Sequence, residues 1–326
     1  MISAVGWPMW ALIILFICGL ILIIKGGDFF VDAAVWMAEV SGIPHFVIGA
    51  TVVSLATTLP ELIVSCLGAS RGSNAIAIGN AVGSVTANTG LIMAISIICI
   101  PAAVKRSQYA AKSLLLLSAA VILYISSLGD SFSLIGSVLL LIIFAVSVYE
   151  SIKSGKAESA QNEKRVFEKK EIPLNIVKFI IGAAGIVVGA DFLVDSATEI
   201  AAASGVSEAV ISATVVAVGT SLPELITTVS AVIKKQSSLS VGNIIGANLI
   251  DLAIILPICS LVSGGGLTAC PQNLFLDIPV CLGLLALAVI PMLLRGKFTR
   301  AQGILLLVLY IAYTVTISFF NPFPTV

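Results

Sequence analysis

The stretch ATVVSLATTLPELIVS, residues 50–65, is followed at residues 79–88 by GNAVGSVTAN. Both recur 163 positions later without a gap, within ATVVAVGTSLPELITTVS at residues 213–230 and as GNIIGANLID at residues 242–251. Self-similarity at a fixed offset is typical of a duplicated architecture. The chain is therefore predicted to contain two copies of one structural unit.

The composition indicates a protein that crosses a membrane several times. Of the 326 residues, 59% are hydrophobic and only 10% are charged, and the formal net charge is zero, which implies neither an acidic nor a basic partner. A membrane-spanning helix needs about 20 mostly apolar residues. Ten stretches meet this requirement: 9–31, 44–69, 75–100, 109–128, 132–149, 174–198, 207–233, 239–262, 273–294 and 301–320.

The ten stretches divide into five for each copy. An odd number of spans makes the second copy enter the membrane from the opposite side, which produces an inverted repeat with its site at the membrane midplane. We therefore expect an all-α membrane protein of ten transmembrane helices in two inverted-topology repeats of five, with kinked helices meeting at the midplane. The predicted units are a first repeat at 1–150, a cytoplasmic linker at 151–172 and a second repeat at 173–326.

The basic residues predict the orientation. If the N-terminus lies outside, Arg71 is the one residue of the 17 lysines and arginines that falls on the outer side. Both termini are therefore expected to be extracytoplasmic and the 151–172 loop cytoplasmic. The first eight residues contain no basic residue, so the chain is expected to begin with a membrane helix rather than a cleaved signal peptide. The small central loop and the lack of organelle signals favour the cell (plasma) membrane.

A proline in each copy interrupts an apolar span. Pro60 cannot donate a backbone hydrogen bond, so carbonyls near Ala56 lose their helical partner. These carbonyls, the hydroxyls of Thr57 and Thr58 and the carboxylate of Glu61 are oxygen donors of the kind that hard cations require. Helical spacing of three and four residues would place each hydroxyl on the same face as the carboxylate. The second copy repeats the pattern with Thr220, Ser221, Pro223 and Glu224.

The segment after each kink combines small residues with polar ones. Its GxxxG spacing, at 79–83 and 242–246, allows close contact between helices. In the first copy, the polar residues Ser84 and Asn88 follow one helical turn apart. In the second copy, the corresponding residues are Ala247 and Asp251, of which only Asp251 is polar. Taken alone, each motif is compatible with a packing role, and the glutamate with capping of its own broken helix. Their repetition at a fixed distance favours a paired cation site inside the membrane.

These motifs resemble the alpha repeats of the cation/Ca2+ antiporter superfamily, and in particular its Na+/Ca2+ exchanger family of the prokaryotic type. The resemblance covers essentially the whole chain. It implies a diamond of four helices at the membrane centre, with two glutamates facing each other. The metal ligands implied by side chains are Thr57, Thr58, Glu61, Ser84, Asn88, Thr220, Ser221, Glu224 and Asp251. The backbone carbonyls implied as further ligands belong to Ser54 and Ala217.

Three positions bear on the choice of ion. Ala247 stands where the second repeat of the family commonly has a serine, so a hydroxyl ligand is missing on that half. Neither repeat has the further acid that proton-coupled members tend to carry after the Gly-Asn pair, which by resemblance favours Na+ as the coupling ion. Glu61 and Glu224 together would neutralise one Ca2+. Asp251 is a third acid and is expected to hold a proton, because another buried negative charge is costly.

The function expected from these observations is secondary active antiport of Na+ against Ca2+ by alternating access. The alternatives are H+/Ca2+ or K+-assisted Ca2+ exchange and, less favoured, a passive cation channel. An enzyme is not expected, because the sequence has neither an HExxH zinc motif nor a nucleophile–histidine pairing. No cofactor is expected beyond the transported ions. The expected partners are Ca2+, Na+ and the lipid bilayer, with no nucleic acid and no obligatory protein partner.

Polar and sulfur-containing residues outside the motifs receive structural interpretations. Acids near span ends, such as Asp28 and Asp32 and their counterparts Asp191 and Asp195, are expected to anchor helices. The six cysteines lie mostly in apolar spans without ligand spacing and are expected to be buried apolar residues.

Overall fold

The computed structural model describes residues 6–41, 43, 45–70, 72, 74–99, 106–129, 131–159, 171–203, 217–264 and 266–320, and these residues are almost entirely helical. The helices of the first half are α1 (Met9–Ser41), α2 (Phe46–Thr57), α3 (Leu59–Ser70), α4 (Asn74–Ala87, prolonged by Asn88–Met93 and Ala94–Cys99), α5 (Arg106–Ser126) and α6 (Leu134–Ser159). Those of the second half are α7 (Glu171–Ala203), α8 (Ala217–Thr220), α9 (Leu222–Ile233), α10 (Ser237–Ile250, prolonged by Asp251–Ile255 and Leu256–Val262), α11 (Asn273–Arg295) and α12 (Arg300–Phe319).

The kinked helices break at the positions that the prolines predict. The axes of α2 and α3 differ by 42°. Thr58 occupies the break with φ −85° and ψ 4°, and Ser221 occupies the corresponding break between α8 and α9 with φ −82° and ψ 3°. Pro60 and Pro223 follow two residues later, where the missing N–H removes a helical hydrogen bond. Both copies therefore present the same backbone conformation next to a glutamate.

A π-helical turn interrupts the helix that follows each kink. In α4 the turn begins at Asn88, and in α10 it begins at Asp251. These two residues correspond to each other at the offset of 163. A π-helical turn widens the helix locally and is common at functional sites. The two predicted ligands therefore occupy the same irregular backbone position in the two repeats.

Helices α1 and α7 pack along each other in antiparallel directions. Leu12 lies beside Phe192, Gly26 lies against the backbone of Gly182, and the Trp36 indole donates to Glu171 at 3.0 Å near the other end. The pair is longer than expected, because α1 continues to Ser41 rather than ending near residue 31, and α7 covers 171–203 rather than 174–198. The contacts along the pair support these extra turns.

Eight helices of the described residues are long and apolar enough to cross a membrane, and the bent pair α2–α3 makes a ninth. The all-helical membrane fold expected from the sequence is thus confirmed. The predicted span 207–233 is described only from residue 217, as α8 and α9. Helix α6 continues to Ser159, into the stretch predicted as a linker, and residues 160–170 and both chain ends lie outside the described residues.

The centre of the protein is filled by the helices after the kinks. Helices α4 and α10 are the most buried of the candidate spans, each 78% buried, whereas α6 and α7 are mostly exposed. The outward faces of these outer helices carry large apolar side chains such as Ile135 and Ile180. This arrangement is expected of a protein whose outer surface contacts lipid and whose polar groups face inward.

Candidate cation site

The hydroxyls at the two kinks bind the carboxylates of the opposite repeat. Thr58 Oγ1, which donates to the Ser54 carbonyl at 2.6 Å, lies 3.2 Å from Glu224 Oε1, and Ser221 Oγ donates to Glu61 Oε1 at 3.3 Å. All four side chains are buried. The sequence spacing predicted that each hydroxyl would accompany the glutamate of its own repeat, but the break at each kink turns the hydroxyls across the interface. The two repeats thus build one site together.

The asparagines of the two Gly-Asn pairs hold the remaining hydroxyls. Thr57 Oγ1 lies 3.5 Å from Asn243 Oδ1, and Thr220 Oγ1 donates to Asn80 Oδ1 at 3.3 Å. The Thr220 hydroxyl, which donates its proton to an amide oxygen, keeps its lone pairs for a cation, and so does the Thr57 hydroxyl, whose one proton is shared between Asn243 Oδ1 and the Ser54 carbonyl at 3.3 Å. Sequence reasoning did not assign a role to these two asparagines, although the repeated Gly-Asn pair was the signal that could have identified them.

The asparagine amides are themselves fixed by the repeat that contains them. Asn80 Nδ2 donates to Ser65 Oγ at 3.0 Å and to the Glu61 carbonyl at 3.3 Å. Asn243 Nδ2 donates to Thr227 Oγ1 at 3.0 Å. These bonds fix which end of each amide faces the threonine of the other repeat. Each kinked helix is therefore coupled both to its own following helix and to that of its partner repeat.

Among the described residues, several buried oxygens at the centre have no hydrogen-bond partner. They are Glu61 Oε2, Glu224 Oε2, Ser84 Oγ, Asn88 Oδ1 and both carboxyl oxygens of Asp251. A buried polar atom normally has a partner, because leaving it unpaired costs several kcal/mol in an apolar environment. All five residues belong to the set predicted from the sequence. Such oxygens, in two repeats and around two carboxylates, form a donor set suited to hard cations.

Close backbone contact brings α10 against the first kinked helix. A β-carbon on Gly242 would overlap the carbonyl oxygen of Phe46, and one on Gly246 would lie 2.7 Å from the carbonyl oxygen of Ala50. Only glycine permits these distances. The GxxxG spacing of the second repeat is therefore a true close-packing motif, and it brings Asp251 one turn beyond the contact.

Two predicted ligands, Ser54 and Ala217, remain, together with Ala247, where the sequence predicted a missing hydroxyl. The Ser54 carbonyl accepts bonds from Thr58 N at 3.0 Å and from Thr58 Oγ1 at 2.6 Å. Ala217 begins α8, and its side chain lies outside the described residues. Ala247 is buried and adds no polar atom. No group of three or more His, Cys, Asp or Glu side chains that could hold a metal occurs in the described part of the chain, so hydroxyl, amide and carbonyl oxygens must contribute to any site here.

Two further acids have structural partners. Asp32 Oδ1 lies 2.7 Å from Lys234 Nζ and Asp32 Oδ2 lies 3.5 Å from Lys178 Nζ, which ties α1 to α7 and α9 as the anchoring interpretation expected. Asp28 Oδ1 accepts a bond from Ser230 Oγ at 3.3 Å. These acids are therefore engaged in holding helices together rather than in the central donor set.

A buried acid of α11 was missed by sequence reasoning. Asp277 accepts bonds from Tyr313 OH at 2.8 Å, from Asn273 Nδ2 at 2.9 Å and from Gln272 Nε2 at 3.4 Å. It has no acidic counterpart at the offset of 163, where Leu114 stands, so the repeat pattern gave no signal. Both of its oxygens have donors, which indicates a structural polar network.

The cysteines are free, and only part of the prediction made for them holds. Cys259 and Cys281 are buried, Cys66 and Cys270 are partly buried, and Cys18 and Cys99 are exposed on outward helix faces. An exposed thiol in an apolar span faces the lipid, so exposure is compatible with an apolar role there.

The fold and the donor set are typical of one class of protein, the polytopic membrane transporters that bind a cation between two repeats. The profile of the sodium/calcium exchanger protein family matches residues 11–153 and 174–319. The chain therefore belongs to the sodium/calcium exchanger family, whose members are transporters, and cation/Ca2+ exchange is the activity of this class.

Individual relatives agree with this assignment. An uncharacterized membrane protein of Methanocaldococcus jannaschii is 35% identical over 303 residues, which cover 91% of this chain and 94% of the relative. The sodium/calcium exchanger MaX1 of Methanosarcina acetivorans is 28% identical, with 94% of this chain and 98% of the relative covered. A structure of the sodium-calcium exchanger NCX_Mj superimposes with a TM-score of 0.79 at 34% identity, covering 94% of this chain and 98% of that one.

Proposed function

We propose that this protein exchanges Na+ for Ca2+ across the membrane at the site formed by Glu61 and Glu224. The observation that carries the proposal is the crossed pair of kinks, in which the Thr58 hydroxyl contacts Glu224 and the Ser221 hydroxyl donates to Glu61. Each glutamate keeps a second buried oxygen without a partner. A cation between the repeats would satisfy both oxygens at once.

The charge of the donor set suits a divalent ion or several monovalent ones. Two carboxylates balance one Ca2+, and they balance the same charge carried by two Na+ ions. Asp251 is close enough in the fold to share this region, and a proton on it would keep the total charge at two. The hydroxyl and amide oxygens around the carboxylates supply neutral ligands, which complete the coordination of either ion without changing the charge.

The proposal extends to the architecture that exchange requires. Ten spans in two inverted repeats would let the repeats rock around a fixed midplane site, which is alternating access. The antiparallel packing of α1 with α7 and the matched kinks at Thr58 and Ser221 support an inverted relation between the halves. The basic residues support an orientation with both termini outside and the 151–172 segment inside, while the small central loop and the lack of organelle signals support the cell membrane.

The direct test is uptake of radiolabelled Ca2+ into liposomes that contain the purified protein. Vesicles loaded with Na+ are compared with vesicles loaded with K+ or choline at the same pH on both sides. The proposal predicts uptake with internal Na+ only. Uptake that is indifferent to Na+ and follows an imposed pH step would contradict it and indicate H+/Ca2+ exchange. Uptake that needs external K+ as well as internal Na+ would indicate K+-assisted exchange, and uptake that needs no counter-ion would indicate a channel.

Two variants test the carboxylates. Glu61→Gln and Glu224→Gln each remove one charge and should reduce exchange by about a hundredfold or more, because a divalent ion would then be buried with half of its compensation. Glu150→Gln makes the same chemical change in a half-exposed residue of α6 and should leave exchange unchanged. Retention of normal exchange by either site variant would exclude that carboxylate from ion binding.

A further inference from the structure

The two repeats differ at two positions that carry a small side chain near the site. Ser54 corresponds to Ala217, and Ser84 corresponds to Ala247. The first repeat therefore has a hydroxyl at both positions, and the second repeat has none at either. Counted by repeat, the second half of the site has lost two oxygen donors.

The packing of the repeats changes this count. Helix α2 packs against α10, so Ser54 lies beside the second repeat: its Oγ is the nearest atom to a β-carbon built on Gly246, the neighbour of Ala247. Helix α8, which begins with Ala217, packs against α4, which carries Ser84. Each helix contact thus joins one serine with one alanine, and neither contact lacks a hydroxyl.

The Ser54 hydroxyl has the environment that a cation ligand needs. The residue is fully buried, and its Oγ donates to the Thr51 carbonyl at 3.1 Å. A hydroxyl that donates its proton to a carbonyl keeps its oxygen lone pairs for another partner. The Ser54 carbonyl, in contrast, already accepts from Thr57 Oγ1 at 3.3 Å as well as from the amide and hydroxyl of Thr58. The hydroxyl is therefore the less occupied oxygen of this residue.

Ser54 is also linked, through the side chain of Thr58, to one of the carboxylates. Thr58 Oγ1 lies 2.6 Å from the Ser54 carbonyl and 3.2 Å from Glu224 Oε1. One side chain thus separates Ser54 from a glutamate of the opposite repeat. A cation bound between that carboxylate and α10 would have the Ser54 hydroxyl within the same cluster of oxygens.

We propose that the Ser54 hydroxyl is a cation ligand, and that it supplies from the first repeat the oxygen that Ala247 lacks in the second. This inference rests on the proposed Na+/Ca2+ exchange and assigns a Na+-selecting residue within it. The hydroxyl at this contact has been moved from one helix to the other rather than lost. Although Ala247 has no hydroxyl, the contact of α2 with α10 and the contact of α8 with α4 would each still supply one hydroxyl ligand.

The test measures Na+ binding without relying on transport. The melting temperature of the purified protein is recorded against Na+ concentration for the wild type, Ser54→Ala, Ala247→Ser and the double variant. Ser54→Ala should raise the Na+ concentration for half-maximal stabilisation by about tenfold, the factor that corresponds to loss of one moderate ligand contact. In the double variant the hydroxyl is returned to the other helix. Its Na+ concentration for half-maximal stabilisation should lie within about threefold of the wild-type value, because a threefold change corresponds to less than half of the binding free energy of a tenfold change. Ala247→Ser alone should change little, because the contact already has one hydroxyl.

Ser96→Ala is the matched control, since Ser96 is a buried serine that pairs with Ser240 at 3.2 Å in another part of α4. An unchanged Na+ response in Ser54→Ala would overturn the inference. So would a loss in Ser54→Ala that Ala247→Ser does not restore, because the hydroxyl would then act only in packing. Stronger Na+ dependence in the single variant Ala247→Ser would also contradict the inference, because it would show that Ser54 does not already supply the hydroxyl absent at Ala247. If Na+ does not stabilise the wild-type protein, both this inference and the proposed function are overturned. If Na+ does stabilise the wild type, a failure of the Ser54 variants overturns this inference alone.

Discussion

Substitution of Gly242 by alanine should separate the two repeats at the centre of the protein. The new methyl group would meet the carbonyl group of Phe46, with the carbonyl carbon at 3.0 Å and Cα at 3.1 Å besides the overlapping oxygen. Carbon atoms prefer separations of about 3.5–4.0 Å, so the helices must move apart by roughly 0.5–1 Å. All of the atoms that obstruct the methyl group belong to the backbone, which cannot rotate away. Overpacking of this kind costs about 1–3 kcal/mol.

The same movement would affect the site itself. Asn243 follows Gly242 directly, and its Oδ1 lies 3.5 Å from Thr57 Oγ1, at the limit of a hydrogen bond. Separation of the helices would break this contact, which adds about 1 kcal/mol. For a total cost of about 2–4 kcal/mol we expect the melting temperature to fall by roughly 4–16 °C, taking 2–4 °C for each kcal/mol. The apparent affinities for Na+ and Ca2+ should fall with it, because Thr57 loses the group that orients its hydroxyl.

Thermal unfolding of the detergent-purified variant, followed by size-exclusion chromatography after heating, measures the first effect, and Ca2+ uptake into liposomes measures the second. Gly283→Ala is the control: Gly283 is exposed on α11 and a β-carbon there meets nothing within 4 Å. Its melting temperature should stay the same or rise, since alanine favours a helix over glycine. A Gly242→Ala protein that unfolds within 2 °C of the wild type and transports normally would refute the close-packing argument.

Two other substitutions should have opposite consequences. Asp251→Asn should keep Ca2+ exchange within about threefold of the wild type, because an amide of the same shape replaces an acid expected to be protonated; a loss greater than about tenfold in the uptake assay would show that Asp251 works as a carboxylate. Tyr313→Phe removes a 2.8 Å bond to Asp277 and should lower stability by about 1–3 kcal/mol without changing the Na+ requirement. Thermal unfolding and Na+-dependent uptake measure the two effects, and an altered ion requirement would place Asp277 in the transport path instead.

Much of the central site could be predicted because polar residues are costly in a membrane. Glu61 and Glu224 stand out in apolar spans, and duplication identifies them without any knowledge of packing. The kinks at Thr58 and Ser221 follow from the prolines in the same way. What could not be predicted was that the hydroxyls reach the opposite repeat, because this depends on how the repeats are placed against each other and not on spacing within one helix.

Helix α1 illustrates a second limit. Charged residues normally mark the end of a span, so Asp28 and Asp32 suggested that the helix stops near residue 31. Asp32 is instead paired with Lys178 and Lys234 of other helices, and the helix continues to Ser41. A partner distant in sequence thus removes the penalty that would have ended the span. Asp277 was not predicted for a related reason: its buried charge is satisfied by neighbouring side chains, one of which, Tyr313, belongs to the next helix.

The unpartnered oxygens give a physical reason for exchange rather than net ion movement. Glu61 and Glu224 are both fully buried, and a buried charge costs several kcal/mol unless an opposite charge compensates it. If the repeats closed around the two carboxylates without a cation, two uncompensated charges would be buried. If they closed around Ca2+ or Na+, the cation would compensate these charges. In the proposed exchange, the cation-loaded forms would therefore cross between the two facings more readily than a form without a cation. A carrier with this property would have to bind one kind of cation before it could return from releasing the other, so under the proposed function the burial of two carboxylates would itself couple the two ions.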